Sequence, residues 1–191
     1  MIATAFRRFT AAIAMAALTG FAAAPASAQA GNQYTANQLV AAGNDFFGQV
    51  SGNLAAVVEE AVSRFGLPNG YILGQTVGGA FFFGIRYGEG TLYTQNIGSY
   101  PVYWQGPSIG FDAGADASRV MMLVYGLDSL DSLYQRFVGG GANAFVVGGI
   151  GMTVLTGSGT TIVPISSGLG ARLGVNLGYL RFTADPTWIP F

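Results

Sequence analysis

Residues 102–120, VYWQGPSIGFDAGADASRV, bring together the side chains best able to do chemistry: Tyr103, Trp104, Asp112, Asp116 and Arg119. Two carboxylates this close could work as an acid and base pair on a glycosidic bond, or begin a calcium loop, which needs several converging oxygens. The surroundings are thin for either task. The next charge is Arg119, suited to neutralise one of the acids, and Gly114 lies between them. The pair reads first as the frame of a glycine turn, with each Asp bonding nearby backbone, and only then as a catalytic dyad.

The rest of the inventory supports the first reading. The chain has no histidine and no cysteine, and all its cations are arginines. Histidine is the usual general base and the commonest metal ligand, and Ser99, Ser118 and Ser166 have neither histidine nor lysine to activate them. Without cysteine there is no thiolate chemistry, no disulfide and no lipidated N-terminal cysteine. GGGANA and GGIGMT lack the lysine of a phosphate loop. The expectation is a protein that is not an enzyme and carries neither cofactor nor metal.

The elements that position these residues are mostly strands. GYILGQ, GGAFFFGIRYGEG, TLYTQNIG, PVYWQG, SIGFDAGAD, SRVMMLVYG, ANAFVVGGIGMTVLTGSG, TTIVPISSG and LGARLGVNLGYLRFT alternate or run apolar between glycine turns, the pattern of an antiparallel sandwich or barrel. GSGT at 157–160 and YGEG at 87–90 are expected hairpin turns. Gly170, Gly174 and Gly178 share one strand face, and Gly148, Gly149 and Gly151 recur in VVGGIGMTV. Repeated glycine weakens strands, so it implies tight curvature or close approach of another backbone or a ligand. Leu54, Val57, Val58, Ala61 and Phe65 form one apolar stripe, predicting an amphipathic helix from Ser51 to Phe65 that ends at Gly66 and Pro68. A shorter helix is expected from Asp128 to Phe137, with Leu130, Leu133, Tyr134 and Phe137 on one face. Phe81, Phe82 and Phe83 alternate across a strand, so some aromatic surface needs a cover, most simply the longer helix.

The expected fold class is therefore mostly β: a small antiparallel barrel of about eight strands with one amphipathic N-terminal helix and one short helix. Arg7 and Arg8 precede the apolar run Phe9–Ala24, and Ala26-Ser27-Ala28 is a signal-peptidase site. Residues 1–28 are expected to be a signal peptide cleaved after Ala28, residues 29–50 a flexible lead, and residues 51–191 a single barrel domain. Six arginines against nine acids then remain, too few and too scattered to track phosphates, which excludes nucleic acid. An integral outer-membrane barrel fits poorly, because Pro186 and Pro190 break the last strand and several strands are shorter than the ~9–11 residues needed to cross. Arg86 and Glu89 suggest a local surface ion pair.

Three segments, LPNGYILGQTVGGAFFFGIRYGEGTL, VYWQGPSIGFDAGADASRVMMLVYGLDSLDSLYQRF and GANAFVVGGIGMTV, together with the closing YLRFTADPTWIPF, resemble a family of exported alphaproteobacterial proteins, the envelope integrity protein A family. The resemblance runs from about Phe65 to Phe191. It implies a periplasmic small β-barrel linked to envelope integrity, without an established enzymatic activity. The order Tyr87-Gly88-Glu89-Gly90, Trp104, Pro107, Gly110-Phe111, Val120 and Gly141-Ala142 is more distantly similar to that of SYLF (Ysc84-like) lipid-binding domains. This chain lacks the lysines those domains carry.

These resemblances imply a lipid or other amphipathic envelope component as ligand, with peripheral membrane contact. Phe83, Arg86, Tyr103, Trp104, Phe111 and Arg119 are the expected contact residues. Two alternatives stay open. One is an interaction scaffold that binds an envelope protein through an edge strand. The other, ranked last, is an enzyme on polysaccharide or peptidoglycan using Asp112 and Asp116.

Overall fold

The structure, a computed structural model, describes residues 30–48, 52–79, 85–107, 117–139, 145–167 and 178–187. The expected signal peptide, Phe81–Phe83, Phe111, Asp112, Asp116, Gly170 and Gly174 lie outside them. Two α-helices, α1 (Ala36–Phe47) and α2 (Gly52–Phe65), precede ten strands: β1 (Gly70–Gly79), β2 (Ile85–Thr94), β3 (Ser99–Pro107), β4 (Ala117–Tyr125), β5 (Arg136–Gly139), β6 (Phe145–Val147), β7 (Ile150–Met152), β8 (Leu155–Thr156), β9 (Thr161–Ser167) and β10 (Tyr179–Thr183).

All pairings among these strands are antiparallel. Eight of the strands close a ring in the order β4-β1-β2-β3-β10-β5-β8-β9, with β9 returning to β4, while β7 and β6 extend from β9. The barrel expected from the glycine-punctuated strands is present.

Strand alternation sorts the side chains into two cores. Ile72, Leu92, Val102, Trp104, Val120, Met122, Phe137, Ile162, Leu180 and Phe182 fill the barrel interior. Met121, Leu123, Val163 and Ile165 point outward and meet Leu39, Leu54, Val57, Val58 and Ala61 of the two helices. An apolar interior inverts the plan of an outer-membrane barrel, whose lumen is polar. No helix among the described residues is long and apolar enough to cross a membrane.

β7 and β8 face β9 in one continuous register: Ile150 opposes Ser167 and Thr156 opposes Thr161. Between them Thr153 N–H donates to Pro164 O at 3.1 Å. Proline has no N–H to return. The strand divides there, β8 pairing onward with β5 and β7 with β6.

The structure corrects four expectations. Residues 29–50 are not simply a flexible lead, because they contain α1. Thr35 and Gln38 form a reciprocal capping box at its start, a device that contributes about 1 kcal/mol, and Leu39 and Phe47 are buried against the barrel wall. The short helix expected from Asp128 to Phe137 is instead one 3-10 turn, Leu130–Ser132, capped by Ser129. Ser129 bonds the backbone of Ser132 and Gln135 Nε2 donates to Ser132 O; such local bonds compete with helix continuation. Leu133 and Phe137 still reach the interior, Phe137 as part of β5.

The third correction concerns YGEG, which lies within β2 instead of forming a turn. Gly88 and Gly90 are there for space: a Cβ on Gly88 would overlap the Trp104 indole, and one on Gly90 would lie 2.5 Å from Leu73 O. Fourth, Arg86 and Glu89 fall on opposite faces of β2, so they do not form the expected surface pair. Gly148 and Gly149, with φ of 54° and 83°, make the tight turn between β6 and β7, as two-residue hairpins require.

Tyr125, on the outer side of β4, packs at a tilt against Phe65 at 5.7 Å, and its buried hydroxyl has no hydrogen-bond partner among the described residues. Burial pushes its phenol above the ordinary value, which is about 10. Burial pushes Tyr34, Tyr71 and Tyr134 the same way. A raised acid stays protonated in the fold while the unfolded chain ionises. Its contribution to stability is therefore complete below about pH 10 and is lost as pH rises through the folded value. Tyr125→Phe is expected to raise stability at neutral pH by about 1 kcal/mol and to flatten the alkaline loss. Urea titrations at neutral pH and above about pH 10 check both; an unchanged alkaline slope contradicts the assignment.

A candidate binding cavity on the helix-free wall

Among the described residues the helices cover the outer face of β4, β9 and the start of β1 and leave the outer face of β2, β3 and β10 without a helix. Register aligns the outward-facing side chains there in two rows. Gln75, Glu89, Tyr103 and Thr183 are successive partners across β1, β2, β3 and β10, and Val77, Tyr87 and Gln105 form the next row. With Ile85 at one edge and Pro186 and Thr187 at the other, they line a largely apolar cavity of about 490 Å³. Gly88 and Trp104, between these side chains along the strands, complete its floor.

The segment after β10 holds its rim by hydrogen bonds. Gln105 Nε2 donates to Thr187 Oγ1 at 3.2 Å, Thr187 Oγ1 donates to Thr183 Oγ1 at 3.2 Å, and Thr183 Oγ1 donates to Asp185 O at 2.8 Å. Gln105 is only 1% exposed. Its Oε1 is buried and has no hydrogen-bond partner among the described residues. Among the described residues Glu89 is the only carboxylate lining the cavity, and no arginine lines it; Arg181 follows Gln105 across the ladder without reaching the lining. No cluster of three potential metal ligands occurs among the described residues.

A profile of the family described as envelope integrity protein A matches residues 32–191. The chain belongs to the envelope integrity protein A family. A solved structure is similar over most of its length: a beta-barrel-like, uncharacterised protein from Brucella abortus is 54% identical, with a TM-score of 0.79, over 84% of this chain and 99% of the other. No curated protein matches. The family places the protein in the maintenance of the cell envelope, in line with the resemblance read from the three sequence segments.

The six expected contact residues of this envelope integrity protein A family member separate. Tyr103 lines the cavity. Trp104 turns inward, 2% exposed, with Nε1 donating to Thr76 Oγ1 at 3.2 Å and the ring 5.9 Å from Phe182; it is interior packing that only floors the cavity. Arg86 lies on the inner face of β2, opposite Gly78 and Gly106, away from the cavity. Arg119 fastens a helix and is not among the residues lining the cavity. Its Nη1 donates to Phe46 O at 2.8 Å and its guanidinium lies 5.7 Å from the Phe46 ring, a favourable place for a cation at the end of α1. Phe83 and Phe111 lie outside the described residues.

Sequence reasoning missed Gln75, Tyr87, Gln105, Thr183 and Thr187. Alternation alone puts Tyr103 and Gln105 on one face of β3. Their neighbours across the wall become visible only with the strand register.

Proposed function

We propose that this is a periplasmic, non-enzymatic protein that supports envelope integrity by holding a lipid or other amphipathic envelope component in the helix-free wall cavity. The observation that carries the reading is the cavity itself: apolar, about 490 Å³, within the range of small-molecule sites, and flanked by Tyr87 and Tyr103, whose rings join an apolar body to a polar tip. Val77 at its rim is 48% exposed and suits a brief contact with a membrane surface. The sequence resemblance to SYLF domains points the same way. The non-enzymatic part rests on the lack of histidine, cysteine and lysine. Export rests on the signal-like residues 1–28.

Native mass spectrometry of the protein purified from periplasm tests the reading. The expected result is about one amphiphile per chain, lost in Tyr103→Asp, while a variant carrying Asp112→Asn and Asp116→Asn keeps full function in cells. Ligand-free protein with a fully functional Tyr103→Asp variant would shift support to the scaffold. That alternative draws on β6, the last strand in the sheet order, where Val146 is 52% exposed. Loss of function in the double asparagine variant would restore the enzyme reading.

A further inference from the structure

The hydrogen-bond relay at the cavity rim determines which end of the Gln105 amide is unsatisfied. Asp185 O is a carbonyl and only accepts, so Thr183 Oγ1 donates to it. A hydroxyl carries one proton, so Thr183 Oγ1 must accept from Thr187 Oγ1. Thr187 Oγ1 in turn must accept from Gln105, and the group that donates to it is the amide Nε2. The relay runs in one direction and forbids turning the amide end for end. The buried atom without a partner is therefore the carbonyl Oε1, an acceptor that lacks a donor. A buried polar atom left unpaired costs stability, and this one belongs to a residue that lines the cavity.

We infer that Gln105 Oε1 anchors the polar end of the ligand, and that this end is an uncharged hydrogen-bond donor, a sugar-type hydroxyl or an amide N–H, carried on an apolar body lying along Tyr87 and Tyr103. The inference rests on the amphiphile reading and narrows it. A phosphate or carboxylate head brings acceptors and negative charge to a site that already presents an acceptor and the Glu89 carboxylate, with no arginine among the described lining residues. An ammonium head supplies donors, but stripping its water to reach a fully buried carbonyl is far costlier than stripping a hydroxyl.

The test uses the full mature chain and isothermal titration with three probes that share one octyl chain, each below its micelle concentration: octyl glucoside, octyl phosphate and octylammonium. Octyl glucoside is expected to bind at least about tenfold more tightly than the other two. Gln105→Met, similar in volume and apolar, is expected to keep or raise the thermal midpoint and to lose that preference. Equal or tighter binding of octyl phosphate or octylammonium overturns the head-group assignment and leaves the amphiphile reading standing, as does an unchanged preference in Gln105→Met. Failure of all three probes to bind overturns the amphiphile reading, and the inference with it. Glucose alone binding as tightly as octyl glucoside keeps Gln105 as the anchor and overturns the apolar body.

Discussion

Gly88→Ala is expected to lower the unfolding free energy by about 3 kcal/mol, the upper part of the range for overpacking, seen as a fall in the urea midpoint. The added Cβ would overlap Cε2 and Nε1 of the Trp104 indole. The ring has nowhere to retreat. Its Nε1 is bonded to Thr76, Phe182 packs 5.9 Å away, and on β1 even a Cβ at Gly74 would stand 2.6 Å from Cη2. A double-mutant cycle isolates the cause: with Trp104→Phe in the background, the further loss from Gly88→Ala is expected to drop below about 1 kcal/mol. Equal losses in both backgrounds would show that the backbone, and not the indole, sets the requirement for glycine.

Phe182→Ala is expected to cost about 3–5 kcal/mol by leaving a cavity at the centre of the interior. The ring is 1% exposed and stands 5.9 Å from Trp104 and edge-on at 5.6 Å from Phe137, so it ties β10 to both of its neighbours, β3 and β5. A domain is stable by only about 5–15 kcal/mol, and the variant should retain little cooperative unfolding at 37 °C. Phe182→Leu keeps most of the volume and should lose about 1 kcal/mol. Calorimetry that finds the two variants alike would argue against a tightly packed interior.

The barrel and α2 were legible in the sequence because both rest on local periodicity. Alternation marks strands such as PVYWQG, and Leu54, Val57, Val58 and Ala61, all fully buried, mark the helical stripe. The failures share a physical origin. α1 sets its apolar residues among Asn37, Gly43 and Asn44, which favour turns, and its capping box and the Arg119 bond to Phe46 supply what propensity lacks. YGEG has turn residues for a reason that only Trp104, on another strand, explains. The cavity was legible only at Tyr103, since its remaining wall depends on which residue of β2 faces which residue of β3 and β10, and no single stretch of chain records that.

The division of one strand at Pro164 also decides where the cylinder gives way. Among the described residues only Val138 with Thr156 and Gly139 with Leu155 fasten β5 to β8, whereas β1 and β2 are joined from Gly70 and Thr94 through to Gly79 and Ile85. The wall thus has a short seam opposite its longest weld. Thermal opening should begin as an unzipping along that seam, and the paired sheet that bears the cavity should be the last part to come apart.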